Sequence, residues 1–148
     1  MRTFCRVMLI LVLGAAPAWA VLGEPESSVN ADAQTLRGQI HTQAHQAYQI
    51  HLITDPNGAV VREYVSPAGK VFGVSWQGPY IPNMQQLLGT YFIYLQRYAQ
   101  AQTGRRGGPL AIQNNYFVFL SGGHMRARRG HAYVPSLLPG NVPPEVVQ

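Results

Sequence analysis

Cysteine occurs once in the 148 residues, at Cys5, ahead of the first apolar run. The rest of the chain therefore has no disulfide, no thiol nucleophile and no cysteine metal ligand. Acidic side chains are also few, six against eleven Lys and Arg. Asp32 falls in a polar start, Asp55 in a turn, and Glu63 alone sits inside a predicted strand. Paired-carboxylate chemistry lacks obvious partners in such a chain. There is no G-x-S-x-G elbow, and "SGGH" (Ser121–His124) reads as a glycine-rich turn. "TGRRGG" (Thr103–Gly108) has glycines and cations but lacks the strand-loop-helix setting and the Lys-Ser/Thr of a phosphate loop.

Long apolar runs are limited to one. Arg2 and Arg6 precede "VMLILVLGAA" (Val7–Ala16), and "APAWA" places Ala18 and Ala20 at the small positions of a cleavage site. The pattern predicts a signal peptide over residues 1–20, cut after Ala20, and hence a periplasmic or secreted protein. The run is shorter than the roughly 20 apolar residues of a spanning helix. Without Arg2 and Arg6, nine basic side chains face six acidic ones, a net charge of about +3. That surplus suits anionic lipids, glycans or polymers without demanding them.

Residues 21–46 are polar and predict a loosely ordered segment with one short helix near Asn30–Arg37. A single domain over residues 47–139 follows, then a tail over 140–148. "AYQIHLIT" (Ala47–Thr54), "AVVREYVS" (Ala59–Ser66) and "VFGVSWQG" (Val71–Gly78) alternate with period two. "DPNG" and "PAGK" between them are turn sequences, so the three form an antiparallel meander. In the third, Phe72, Val74 and Trp76 are expected on one face. Asn83 is a predicted N-cap, with Gln86 at the capping-box spacing, for one helix over Met84–Gln102. "LAIQ" and "YFVFLS" flank Asn114-Asn115 as a second hairpin, and Gly122–Pro139 reads as a loop, an edge strand and an irregular tail. The fold class is α+β: an antiparallel β-meander of about five strands with one long helix packed on it.

Two features carry functional weight. Arg126, Arg128 and Arg129 form a basic run beside His124 and His131, with Arg105 and Arg106 nearby if the last strands fold back. The run reads as an anion-binding stripe or, equally physically, as cations protecting a sheet edge. Trp76, Tyr80, Ile93 and Tyr94 form the candidate aromatic surface for a protein partner or self-association, if exposed. His41 and His45 would share a helix face but lack a neighbouring carboxylate or thiol, so no metal site and no cofactor is predicted.

The stretches "REYVSPAGKVFGVSWQGP" (Arg62–Pro79), "QLLGTYF" (Gln86–Phe92), "SGGHMRARRGHAYVPSLLP" (Ser121–Pro139) and "LGEPESSV" (Leu22–Val29) together resemble a family of small exported proteobacterial proteins, domain of unknown function 2844. The resemblance implies a signal peptide and one exported domain, and brings no catalytic or binding residue with it. The resulting expectation is a non-catalytic periplasmic or envelope binding or accessory module. The alternative is a small hydrolase or metal-dependent enzyme using His124 or His131.

Overall fold

The structure, a computed structural model, describes residues 22–102 and 108–148. The expected signal segment over residues 1–20 and the cations Arg105 and Arg106 lie outside the described residues.

Seven antiparallel strands form one sheet: β1 (Gln39–Ala44), β2 (Gln49–Thr54), β3 (Val60–Val65), β4 (Val71–Gly78), β5 (Leu110–Gln113), β6 (Val118–His124) and β7 (Ala127–Tyr133). Their spatial order is β1-β2-β3-β4-β7-β6-β5. The α+β class holds, with seven strands rather than five. The chain builds one meander, crosses to the far edge through helices, then winds back until β7 pairs with β4.

Local chemistry accounts for the turns. Asp55 Oδ1 accepts from the N–H groups of Asn57 (2.9 Å) and Ala59 (2.8 Å), closing the β2–β3 turn. Asn114 does the same between β5 and β6, accepting from Tyr116 and Phe117.

Residues 22–46, expected to be loosely ordered, are instead built into the domain. Residues 22–26 run beside the start of β4, exchanging Gly23 N–H to Val71 O and Val71 N–H to Glu24 O. Helix α1 (Val29–Leu36) follows, close to the expected short helix, and then β1. All six residues of β1 are exposed, so no apolar alternation advertises the strand.

The expected single helix over Met84–Gln102 is broken. Asn83 caps α2 (Met84–Leu88) by accepting from the N–H groups of Gln85 and Gln86. Gly89 then takes φ +49°, a 3-10 turn spans Gly89–Tyr91, and α3 (Phe92–Ala101) resumes. Only glycine enters such a backbone region cheaply. The break rotates the register, so Tyr91, Phe92 and Tyr94 join Leu95 and Tyr98 against the core.

Two layers sandwich the sheet. The main core lies between the sheet and the helices and holds Val61, Val65, Val74, Trp76, Leu87, Leu88, Phe117 and Phe119. The other face carries a smaller cluster of Tyr64, Phe72, Val142 and Val147, contributed in part by the C-terminal residues. Phe72 was expected beside Val74 and Trp76. A bulge lets Val65 pair with Val71 and Tyr64 with Gly73, which turns Phe72 to the opposite face. Tyr64 secures the tail: its hydroxyl donates to the Gln148 carbonyl (2.9 Å) and accepts from the Gln148 N–H (3.2 Å). Ser75 Oγ donates to the same carbonyl at 2.7 Å.

Candidate functional site

The basic run does not form one stripe, and it does not lie on a sheet edge. β7 is an interior strand, flanked by β4 and β6, so edge protection is not its role. Arg126 sits in the tight turn between β6 and β7 with φ +63°, fully exposed. Arg128 and Arg129 occupy successive positions of β7 and therefore point to opposite faces.

Arg129 belongs to the face only partly covered by the tail. Directly opposed residues of neighbouring strands share a face. The register Arg62↔Ser75↔His131↔Leu120 thus draws one row across β3, β4, β7 and β6. The next row holds Gln77, Arg129 and Gly122. Across two strand spacings the backbones at Arg62 and His131 stand about 10 Å apart. Between this face and the segment Pro144–Gln148 runs an open groove of about 840 Å³. Its polar lining includes Arg62, Arg129, His131, Gln77 and one acid, Glu145; Leu120 and Tyr133 supply apolar surface. Neither arginine has a carboxylate partner among the described residues. Half-burial lowers the His131 pKa below its ordinary value, because desolvation penalises the imidazolium. The neutral form of His131 is therefore favoured in the groove, where the two arginines supply the positive charge against the one acid, Glu145.

Sequence reasoning missed Arg62 as a site residue. Its proximity to β7 arises from the β4–β7 pairing, a contact between segments more than fifty residues apart. His124, at the exposed end of β6, stands opposite Ala127 rather than with His131. Among the described residues no group of three or more His, Cys, Asp or Glu side chains could hold a metal ion. His41 lies on strand β1, not on a helix, and His45 stacks on Tyr48 at 4.7 Å between ring centroids.

The aromatic candidates are dispersed. Trp76 is 1% exposed, packed over Gly130 and against Phe119, and presents nothing to a partner. Its indole N–H is buried without a hydrogen-bond partner among the described residues. Tyr94 is half-buried and stacks on Phe117 at 5.8 Å. Tyr80 is half-buried, and Ile93 alone of the four is exposed.

Two polar clusters lie beneath the helical layer, and neither was legible beforehand. His51 is buried; its Nε2 meets Glu26 Oε1 at 2.9 Å and its Nδ1 meets Thr42 Oγ1 at 2.9 Å. The carboxylate only accepts, so in the neutral ring Nε2 donates to Glu26 and Nδ1 accepts from Thr42. This chain of contacts ties β1 and β2 to the N-terminal segment. Deeper in, Glu63 and Asp32 bring two carboxyl groups together, and Gln86 Nε2 donates to Asp32 Oδ1. Burial and the neighbouring Asp32 carboxyl raise the Glu63 pKa well above 4.5. Burial beneath α1 and α2 therefore favours the protonated form of Glu63.

Sheet, helical layer and tail define a single-sheet α+β protein with an open groove lined by Arg62, Arg129 and Glu145. The profile of a family described as a protein of unknown function (DUF2844) matches residues 18–147, and the chain belongs to that family. Comparison with curated proteins and with solved structures finds no match.

Proposed function

We propose that this protein is an exported, non-catalytic binding module whose open sheet face takes an anionic ligand of the cell envelope. The observation that carries the reading is the convergence of Arg62 and Arg129 on one partly uncovered face, with His131 in the row of Arg62. Guanidinium groups bind carboxylate and phosphate oxygens in pairs, and both arginines are free of internal carboxylates among the described residues. Tyr133 and Leu120 offer the apolar surface on which a sugar ring or lipid glycerol would rest. Export is supported by the pattern of residues 1–20, with its basic start, apolar run and small-residue cleavage site. A catalytic reading is weaker: among the described residues Ser75 stands opposite His131 across the strands, but it is buried and its hydroxyl is bonded to Gln148.

Isothermal titration of the full chain with polygalacturonate, and co-sedimentation with phosphatidylglycerol vesicles, test the proposal and separate glycan from lipid. Binding that weakens with salt and falls at least ten-fold in Arg62→Gln/Arg129→Gln supports it. Unchanged binding in that variant, or no binding to either anion, refutes it.

A further inference from the structure

The helical face holds a second cavity, and its chemistry differs from that of the groove. Helix α3 has no fully buried residue, although Tyr94, Leu95 and Tyr98 face the sheet. Its N-terminal half is pinned: Tyr91 and Tyr94 each stack on Phe117 at 5.8 Å. Beside its C-terminal half lies a cleft of about 310 Å³. Leu95 and Tyr98 line it from the helix, together with Ile81, Met84, Leu110 and Phe119. Ile81 is 45% exposed, an apolar side chain left uncovered at the cleft. The cleft is open to solvent and lined mainly by apolar side chains, so its walls are uncovered contact surface.

Arg128 supplies the other half of the chemistry. It lies on the face of β7 opposite Arg129, half-buried, and lines this cleft together with Ser121. It is the one charged side chain among the described residues lining the cleft, and it has no carboxylate partner among them. An unpaired, partly desolvated guanidinium beside an apolar slot is costly unless an anion meets it. We propose that the cleft binds a single-chain amphiphile of medium length, its acyl chain between α3 and the sheet and its carboxylate on Arg128. The volume lies at the small end of the range for ligand pockets, which begins at about 300 Å³. One short chain fits that range better than a two-chain lipid. The cleft adjoins the open groove at Pro109, Leu110, Ser121 and Gly122 but shares no charged residue with it, and the two sites stand or fall by different arginines.

Calorimetric titration of the full chain with decanoate, decanol and inorganic phosphate tests this assignment. Decanoate is expected to bind saturably, and octanoate about ten-fold more weakly, as the loss of two buried methylenes implies. Arg128→Gln should weaken decanoate at least ten-fold and leave decanol unchanged, whereas Arg129→Gln should alter neither. Leu95→Trp, which fills the cleft from its helix wall, should abolish binding of both while circular dichroism and Tm stay near wild type. Equal decanoate affinity in wild type and Leu95→Trp would overturn the proposal. So would binding of phosphate alone as tightly as decanoate. Should Leu95→Trp fail to fold, Tyr98→Ala offers a second reading: the enlarged cleft should accept dodecanoate more tightly than wild type does, and no change in chain-length preference would count against the site.

Discussion

Arg128 and Arg129 are adjacent in sequence and serve opposite faces of one sheet. Arg129 opens onto the groove with Arg62 and His131, and Arg128 onto the apolar cleft beneath α3. A cluster that reads as one patch in one dimension is two half-sites in three, because alternation along a strand separates neighbours. The separation makes the two arginines independently removable.

Acidification should strengthen anion binding in the groove. His131 is held below its ordinary pKa of 6.5 by burial, so it is uncharged at neutral pH. Protonation adds a third positive charge, and a bound anion raises the pKa further. Affinity for polygalacturonate should therefore grow as pH falls from about 7 to 5, over the histidine range. His131→Gln should flatten the profile down to the pH at which the ligand itself protonates. A profile unchanged by that variant would remove His131 from the site.

Glu63 should make the fold less stable as pH rises. Its folded pKa lies above 4.5, so between the unfolded and folded values the native state binds the extra proton. Stability then falls with rising pH, with a limiting slope of about 1.4 kcal/mol per unit for one proton. Glu63→Gln keeps a neutral donor toward Asp32 without the proton, so its urea midpoint should change less between pH 5 and 8 and exceed wild type at the upper end. Parallel midpoint curves for the two proteins would show that Glu63 does not couple to folding.

Gly130 should tolerate no side chain. A Cβ there would lie 2.3 Å from Trp76 Cζ2 and 2.5 Å from the Leu120 carbonyl oxygen. The first atom belongs to a fully buried ring and the second to the neighbouring strand, so neither yields easily. Gly130→Ala should cost about 1–3 kcal/mol, the usual penalty of overpacking a core. Chemical denaturation measures the loss, and a shifted near-ultraviolet tryptophan signal should accompany it. A variant as stable as wild type would contradict the packing of Trp76 on β7.

The C-terminal residues should behave as part of the domain. Val147 is 1% exposed, and Gln148 is held by Tyr64 and Ser75. Val147→Ala removes two buried carbons and should cost roughly 2 kcal/mol. Tyr64→Phe loses both hydroxyl contacts with Gln148 and should destabilise by about 1 kcal/mol. If urea denaturation found both substitutions neutral, the tail would be an ornament on the sheet rather than its second layer.

What could be read beforehand follows from where the signal resides. The hairpin turns at Asp55 and Asn114 announce themselves, since one side chain binds the backbone two to four residues on. β2, β3 and β4 alternate visibly because each buries apolar side chains. β1 does not, being exposed throughout, and β7 carries arginine and glycine where a strand usually carries branched side chains. β7 was expected only as an edge strand within Gly122–Pro139, and β1 was not expected as a strand. The helix break rests on Gly89 alone, which period counting treats as a tolerated residue. Of the candidate site, Arg128 and Arg129 were legible as cations, but their partition between faces needed the turn at Met125–Arg126 to set the phase of β7. Arg62 and the Glu63–Asp32 pair were not legible, because each owes its neighbours to long-range pairing or helix docking.

The most direct measurement is an amide chemical-shift titration of labelled protein with polygalacturonate. The account predicts perturbations concentrated at Arg62, Gln77 and Arg129–Tyr133, with α3 and β1 silent, and their loss in Arg62→Gln/Arg129→Gln. Perturbations centred on α3 or β1, or an absence of any, would contradict the assignment of the open sheet face as the binding surface.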